Sequence, residues 1–111
     1  MSDTISRVSL EELAAIVARR ADAEGEASYT RSLIGKGVVK CAQKVGEEAV
    51  ETALAALGTD DAAVVSEAAD LLYHLAVLLR ARGIELDDVY RELARRTSQS
   101  GLEEKAARIK D

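Results

Sequence analysis

Two stretches of the chain each place a pair of carboxylates one helical turn apart. The first pair is Glu48 and Glu51, and the second is Glu67 and Asp70. Because only a short connection separates the two stretches, we expect an antiparallel helical hairpin on which the four side chains converge. Crowded carboxylates repel one another unless a cation neutralises them, and oxygen ligands alone select Mg²⁺, with Mn²⁺ as the alternative. The spacing therefore predicts a metal site formed by these four residues, of a kind that serves phosphate chemistry.

A further acidic residue, Glu47, lies about 60° from the face that Glu48 and Glu51 share on a helix. We assign Glu47 and Glu48 to catalysis, with Glu47 orienting the attacking water. The chain has a single histidine and a single cysteine, which disfavours a Ser-His-Asp or Cys-His nucleophile set. Direct attack by water is therefore favoured, and a carboxylate nucleophile is the alternative.

The same acidic residues also have a purely structural interpretation. The glutamates of the first stretch are compatible with a solvated helix face. Glu67 and Asp70 lie in a nearly all-apolar stretch, where a carboxylate must be paired, protonated or metal-bound. Arg80, Arg82 or a lysine from another helix would supply a salt bridge. His74, one turn beyond Asp70, is a hydrogen-bonded core residue, a partner of a carboxylate or a phosphate contact.

A segment without acidic residues precedes the first glutamates, between Ala27 and Gly46. It offers hydroxyl groups, positive charge and a helix start, all of which suit a phosphate chain. The predicted substrate-binding residues are Ser28, Tyr29, Thr30, Arg31 and Lys44. The alternative for Lys44 is an ion pair with Glu48.

Composition indicates which elements must position these residues. The chain has 111 residues, no proline and only three aromatic residues, with 48% hydrophobic and 32% charged residues. Alanine, leucine, glutamate and arginine are strong helix formers, so we expect an all-α fold and one domain over residues 1–111. The first predicted helix begins with a Ser9–Glu12 capping box and ends near Gly25. The next elements cover residues 28–34, about 38–57, about 60–82 with Thr59 or Asp60 as the cap, and 87–96 with Asp87 as the cap. A second capping box, Ser100 and Glu103, predicts a short C-terminal helix.

The four- to five-helix bundle is expected to be completed by dimerisation, because the helix over residues 62–79 has more apolar surface than short flanking helices can cover. Glu67, Asp70 and His74 interrupt that apolar stretch, and no signal peptide is visible. The net charge of −5 argues against nucleic-acid binding. We expect a cytoplasmic protein with neither a nucleic-acid nor a membrane partner.

The pattern E-E-x-x-E followed by E-x-x-D resembles the all-α nucleoside triphosphate pyrophosphatases, which include MazG. Residues 28–30 (Ser-Tyr-Thr), 44–49, 51 and 67–74 together resemble the phosphoribosyl-ATP pyrophosphatases of histidine biosynthesis. The resemblance covers nearly everything from Leu10 to Arg108. It implies Mg²⁺-dependent hydrolysis of phosphoribosyl-ATP between its α and β phosphates, giving phosphoribosyl-AMP and pyrophosphate, and it implies a homodimer.

Two other functions stay open on the sequence. A related enzyme would use the same metal site on an ordinary NTP or dNTP to cleanse the nucleotide pool. A non-enzymatic helical dimerisation module would instead use its acidic residues in salt bridges, and Mg²⁺ would not stabilise it.

Overall fold

The computed structural model describes residues 6–23, 28–98 and Arg108. Within these ranges the chain forms helices and no strand, which confirms the predicted all-α class. The five helices are α1 (Leu10–Ala21), α2 (Tyr29–Gly35), α3 (Val38–Ala56), α4 (Asp61–Ala81) and α5 (Leu86–Thr97).

Side-chain caps begin two of the helices at the positions that the sequence predicts. The Ser9 hydroxyl accepts from the Glu12 amide at 3.0 Å, and the Glu12 carboxylate accepts from the Ser9 amide at 3.0 Å, so the capping box is confirmed. Asp60 caps α4 by accepting from the Ala62 amide at 3.0 Å. Each cap satisfies a backbone donor that the helix itself leaves free.

The predicted cap of the last described helix is wrong. Glu85, not Asp87, is the N-cap of α5, and its side chain makes no capping bond. Asp87 lies in the first turn instead, where a negative charge interacts favourably with the helix dipole. The predicted capping box at Ser100 and Glu103 lies outside the described residues.

The α3–α4 hairpin is the main packing unit of the structure. These two helices share the largest helix–helix contact, and only residues 57–60 connect them, so they run antiparallel. Gly37, with φ of 100°, joins α2 to α3 in a conformation that a side chain would strain. The core lies where α1, α2, α3 and α4 meet, and its buried apolar residues are Val17, Leu33, Cys41 and Val77.

Helix α4 also presents apolar side chains to solvent, among them Val65, Leu72 and Leu75. Leu72 and Leu75 line an apolar groove of about 270 Å³ between α1, α4 and α5. By length and hydropathy alone α4 meets the criterion for a membrane-spanning helix, which a core helix of a soluble protein also passes. Its position in the α3–α4 hairpin and its acidic residues mark it as a helix of the bundle.

Candidate active site

Three carboxylates meet on the α3–α4 hairpin. One carboxylate oxygen from each of Glu48, Glu67 and Asp70 lies within 4.8 Å of the other two. Glu48 comes from α3, and the other two come from α4, one turn apart. The antiparallel packing of two helices therefore brings together the two i, i+3 patterns of the sequence.

Glu48 is the buried member of this group, with 8% of its surface exposed. Its Oε2 atom is buried and has no hydrogen-bond partner in the described part of the chain. A buried acceptor without a partner carries a desolvation penalty, which a bound cation would offset. This oxygen and the all-carboxylate donor set together fit a hard divalent cation such as Mg²⁺.

Glu51 adjoins these three carboxylates but does not belong to the group whose oxygens lie within 4.8 Å of one another, and its side chain is exposed. The adjacent Glu51 carboxyl group, followed by burial and by the charge of Asp70, raises the pKa of Glu48. Glu51 is also the largest cause of the raised pKa of Glu67. We call Glu48, Glu51, Glu67 and Asp70 the acidic cluster. Mutual repulsion favours either a shared proton or a cation within it.

The salt-bridge interpretation of Glu67 and Asp70 finds no support among the described residues. No ion pair there includes a member of the acidic cluster. Arg80, which sequence analysis offered as a partner, instead lies 3.4 Å from Asp22.

Glu47 lies beside the acidic cluster rather than in it, as its position off the shared helix face indicates. Gln43 Nε2 donates to its Oε2 at 3.0 Å, and Lys44 Nζ lies 3.4 Å from its Oε1. The Gln43 hydrogen bond and then the Lys44 contact lower the pKa of Glu47, so this carboxylate stays ionised. An ionised, fixed carboxylate is suited to accepting a hydrogen bond from water.

Lys44 lies between the acidic residues and α2. Tyr29 is the largest influence that raises the pKa of Lys44, followed by the hydrogen bond with Glu47, and Glu48 adds to the effect. The predicted alternative partner of Lys44 was Glu48, whereas the ion pair in the structure is with Glu47. Of the predicted substrate-binding residues, Lys44 contacts Glu47, and the Tyr29 hydroxyl lies 3.0 Å from Nε2 of His74, one turn beyond Asp70.

The side chains of the other three predicted substrate-binding residues form hydrogen bonds within the protein. The Ser28 hydroxyl caps α2 by accepting from the Arg31 amide at 3.0 Å, and it donates to the Arg20 carbonyl at 2.9 Å. Thr30 is fully buried, and its hydroxyl bonds to that of Tyr73. The Arg31 guanidinium donates to the Ala23 carbonyl. These hydrogen bonds hold α2 against its neighbours, and the assignment of the three residues to substrate binding stays a prediction.

Arg20 also belongs to this arrangement, although no sequence pattern predicted it. Its guanidinium donates to the Tyr73 hydroxyl at 2.9 Å and lies over the Tyr73 ring. The two residues are 53 positions apart, and no local pattern connects them.

The model of the family described as "Phosphoribosyl-ATP pyrophosphohydrolase" matches residues 10–97, which include the acidic cluster and α2. The chain belongs to the phosphoribosyl-ATP pyrophosphohydrolase family. The matched range contains all five described helices, so the family match includes the acidic cluster and the helices that pack around it.

Curated relatives in this family align with nearly the full chain. The phosphoribosyl-ATP pyrophosphatase of Azorhizobium caulinodans is 72% identical over 102 residues, which is 92% of this chain and 94% of that protein. Phosphoribosyl-ATP pyrophosphatase 1 of Bradyrhizobium diazoefficiens is 56% identical over 102 residues, which is 92% of this chain and 96% of that protein. Phosphoribosyl-ATP pyrophosphatase 1 of Rhodopseudomonas palustris is 51% identical over 107 residues, which is 96% of this chain and 100% of that protein.

Proposed function

We propose that this protein is a cytoplasmic, homodimeric phosphoribosyl-ATP pyrophosphatase of histidine biosynthesis that depends on Mg²⁺. Family membership supports the reaction. The observation that carries the site assignment is the buried Glu48 Oε2, which has no hydrogen-bond partner in the described chain and lies in a group of convergent carboxylates.

The acidic cluster would hold the cation. Glu48, Glu51, Glu67 and Asp70 supply only oxygen ligands, which suits Mg²⁺ and also Mn²⁺. When bound, Mg²⁺ would neutralise phosphate oxygens and stabilise the charge that develops as the anhydride breaks.

The residues beside the cluster would act on water and on the phosphates. Glu47 accepts a hydrogen bond from the attacking water and orients it, and the buried Glu48 can accept its proton. Lys44 contributes positive charge toward the phosphate chain. Water adds its oxygen to phosphorus, the α–β anhydride bond breaks, and phosphoribosyl-AMP and pyrophosphate leave.

A dimer would cover apolar surface that the single chain leaves exposed. Leu72 and Leu75 line the groove between α1, α4 and α5, and Leu54 is exposed on α3. Burying such side chains against a second copy is favourable, and a twofold dimer is the commonest closed assembly.

The deciding experiment measures pyrophosphate release from phosphoribosyl-ATP, with and without Mg²⁺, against a panel of NTPs and dNTPs. We expect turnover of phosphoribosyl-ATP far above the panel, and loss of turnover when EDTA removes the cation. Asp70→Asn is the matched control for a contaminating hydrolase, because it alters only the cluster. If the enzyme prefers an ordinary nucleotide, the proposed substrate is wrong. If it hydrolyses neither phosphoribosyl-ATP nor any nucleotide of the panel, the enzymatic function is refuted.

A further inference from the structure

The hydroxyl group of Tyr73 lies where α1, α2 and α4 meet. The Arg20 guanidinium of α1 donates to it at 2.9 Å and lies over the Tyr73 ring, 5.7 Å from the ring centroid. The Thr30 hydroxyl of α2 forms a second hydrogen bond with it. Tyr73 itself belongs to α4 and packs against the apolar core. One phenol oxygen therefore connects three helices.

The hydrogen-bonding capacity of these groups fits the arrangement without any choice of protonation state. A guanidinium group stays protonated and only donates, so the Tyr73 oxygen is the acceptor of the bond from Arg20. The phenol retains its own proton and a further lone pair, and the hydroxyl of Thr30 can serve either as acceptor or as donor. The bond between Thr30 and Tyr73 therefore forms in either direction.

Thr30 depends on this bond because it is fully buried, with 0% of its surface exposed. A buried hydroxyl without a partner carries a desolvation penalty. Tyr73 is the hydrogen-bond partner that the described structure gives the Thr30 side chain. A displacement of α2 along α4 would break the bond, so the bond determines where α2 lies on α4.

The end of α1 holds the same part of α2 through its backbone. The Ser28 hydroxyl donates to the Arg20 carbonyl at 2.9 Å, and the Arg31 guanidinium donates to the Ala23 carbonyl. Arg20 thus contacts the start of α2 directly through its carbonyl group, and indirectly through its side chain by way of Tyr73. The segment held in this way is the one predicted to bind the substrate.

Tyr29, the residue before Thr30, is 52% exposed between these contacts. Its hydroxyl lies 3.0 Å from Nε2 of His74, the residue after Tyr73. Consecutive residues of α2 therefore contact consecutive residues of α4. Since Nδ1 of His74 lies 2.8 Å from the carbonyl oxygen of Asp70, the bond between Thr30 and Tyr73 keeps Tyr29 beside the turn of α4 that contributes to the acidic cluster.

We propose that Tyr73, held by Arg20, is a positioning residue, which places the start of α2 beside the acidic cluster through its bond to Thr30. The inference rests on the proposed function, and on the predicted contact of residues 28–31 with phosphoribosyl-ATP. Tyr73 acts through α2 and contributes no carboxylate to the cluster. Its hydroxyl should therefore affect the binding of substrate and not the binding of Mg²⁺.

Kinetics separate this role from a general loss of stability. Tyr73→Phe, which removes one hydroxyl group, should raise KM for phosphoribosyl-ATP about fivefold, while kcat stays within about twofold of wild type. Its Mg²⁺ affinity in a calorimetric titration should be unchanged. Arg20→Ala should have the same effect and add little to Tyr73→Phe, because both act through one bond. A loss confined to kcat, a weaker Mg²⁺ affinity or full additivity of the two variants would each overturn the proposal.

Two variants of Thr30 test the hydroxyl on the other side of the bond. Thr30→Val has nearly the same shape without the hydroxyl, so its KM should rise as in Tyr73→Phe. Thr30→Ser retains the hydroxyl, so its KM should rise less. The reverse order would overturn the proposal, because shape and not the hydrogen bond would then determine KM.

Asp22→Ala is the matched control. The exposed Asp22 carboxylate forms a separate contact between the same end of α1 and α4, with Arg80 at 3.4 Å, and this ion pair does not include α2. Its KM should stay within about twofold of wild type, whatever its thermal midpoint. An equal rise of KM in Asp22→Ala and Tyr73→Phe would overturn the proposal, because any loosening of α1 from α4 would then be sufficient.

Amide hydrogen exchange, followed by mass spectrometry, tests the same contact without turnover. We expect the amides of α2 to exchange about threefold faster or more in Tyr73→Phe than in wild type, with those of α3 unchanged. Unchanged exchange in α2 would overturn the proposal. An inactive wild-type enzyme would instead refute the proposed function, and the exchange measurement would still decide whether Tyr73 holds α2.

Discussion

Lys44 Nζ lies 3.4 Å from Oε1 of Glu47, the acidic residue three positions further along α3. Glu48, which is four positions away and equally within reach of a lysine on a helix, keeps a buried oxygen without a hydrogen-bond partner in the described chain. Lys44 therefore forms its ion pair with Glu47, beside the acidic cluster, and not with a member of the cluster. A cation and a phosphate chain can then occupy adjacent places, one on the carboxylates and one toward Lys44.

Replacing Lys44 by alanine should lower kcat/KM for phosphoribosyl-ATP by about tenfold or more, because a charge-assisted contact with phosphate is lost. The Mg²⁺ affinity of the free enzyme should be unchanged or improved, since a positive charge leaves the neighbourhood of the cluster. Steady-state kinetics and calorimetric Mg²⁺ titration measure the two effects separately.

Lys36→Ala is the control for this prediction, because Lys36 is the exposed C-cap residue of α2. An unaltered kcat/KM in Lys44→Ala would show that Lys44 is only a surface partner of Glu47.

The amide variants Glu51→Gln and Asp70→Asn should abolish pyrophosphate release while leaving the helical circular dichroism intact. Each removes one negative charge from the proposed ligand set without changing its size. Because like-charge repulsion is relieved, we expect the metal-free variants to melt at or above the wild-type temperature. Near-wild-type turnover in either variant would contradict its assignment as a ligand, and loss of the helical signal in both would favour a structural role.

The stability of the metal-free protein should fall as the pH rises above 4.5, the ordinary value from which the pKa of Glu48 and Glu67 is raised. A raised pKa means that the folded state binds protons more tightly than the unfolded chain. The associated stability is present below the unfolded pKa and is lost as the pH rises through the folded pKa. Thermal melts in EDTA between about pH 4.5 and 7 measure this loss.

Added Mg²⁺ should recover the lost stability at neutral pH, since the cation replaces the protons. Glu51→Gln should show a shallower pH dependence, because Glu51 is the largest cause of both raised pKa values. Glu92 is a useful contrast: Arg95 and Arg96 lower its pKa to about 2, so its contribution is lost only as the pH falls below 4.5. A flat profile above pH 4.5 in EDTA would contradict the coupling within the cluster.

The hairpin and the acidic cluster could be predicted from sequence because both depend on local periodicity. The i, i+3 spacing puts two carboxylates on one face of each helix, and a short connection makes the helices neighbours. Helical periodicity does not show which element packs against a face. Glu48, which sequence alone also allows on a solvated face, is therefore found buried in the hairpin with α4.

The same limitation explains the hydroxyl groups of α2. Ser28, Tyr29 and Thr30 are equivalent in sequence, since each offers an oxygen near a helix start. In the structure the Tyr29 hydroxyl contacts His74, whereas Ser28 caps the helix and Thr30 packs against Tyr73. The partners of Ser28 and Thr30 are Arg20 on α1 and Tyr73 on α4, so only the tertiary packing decides which group each hydroxyl contacts.

Self-association is the final prediction, and it follows from apolar surface that the described helices leave uncovered. Leu72 is 45% exposed, and it lines the groove together with Leu93 of α5. Analytical ultracentrifugation at micromolar concentration should give about twice the chain mass of 11.9 kDa. Leu72→Lys should shift the protein toward monomer because it puts a charge into an apolar contact, whereas Arg91→Ala, on the exposed side of α5, should not. A wild-type chain that sediments as a stable monomer would refute the dimer, and a dimer unaffected by Leu72→Lys would exclude the groove as its interface.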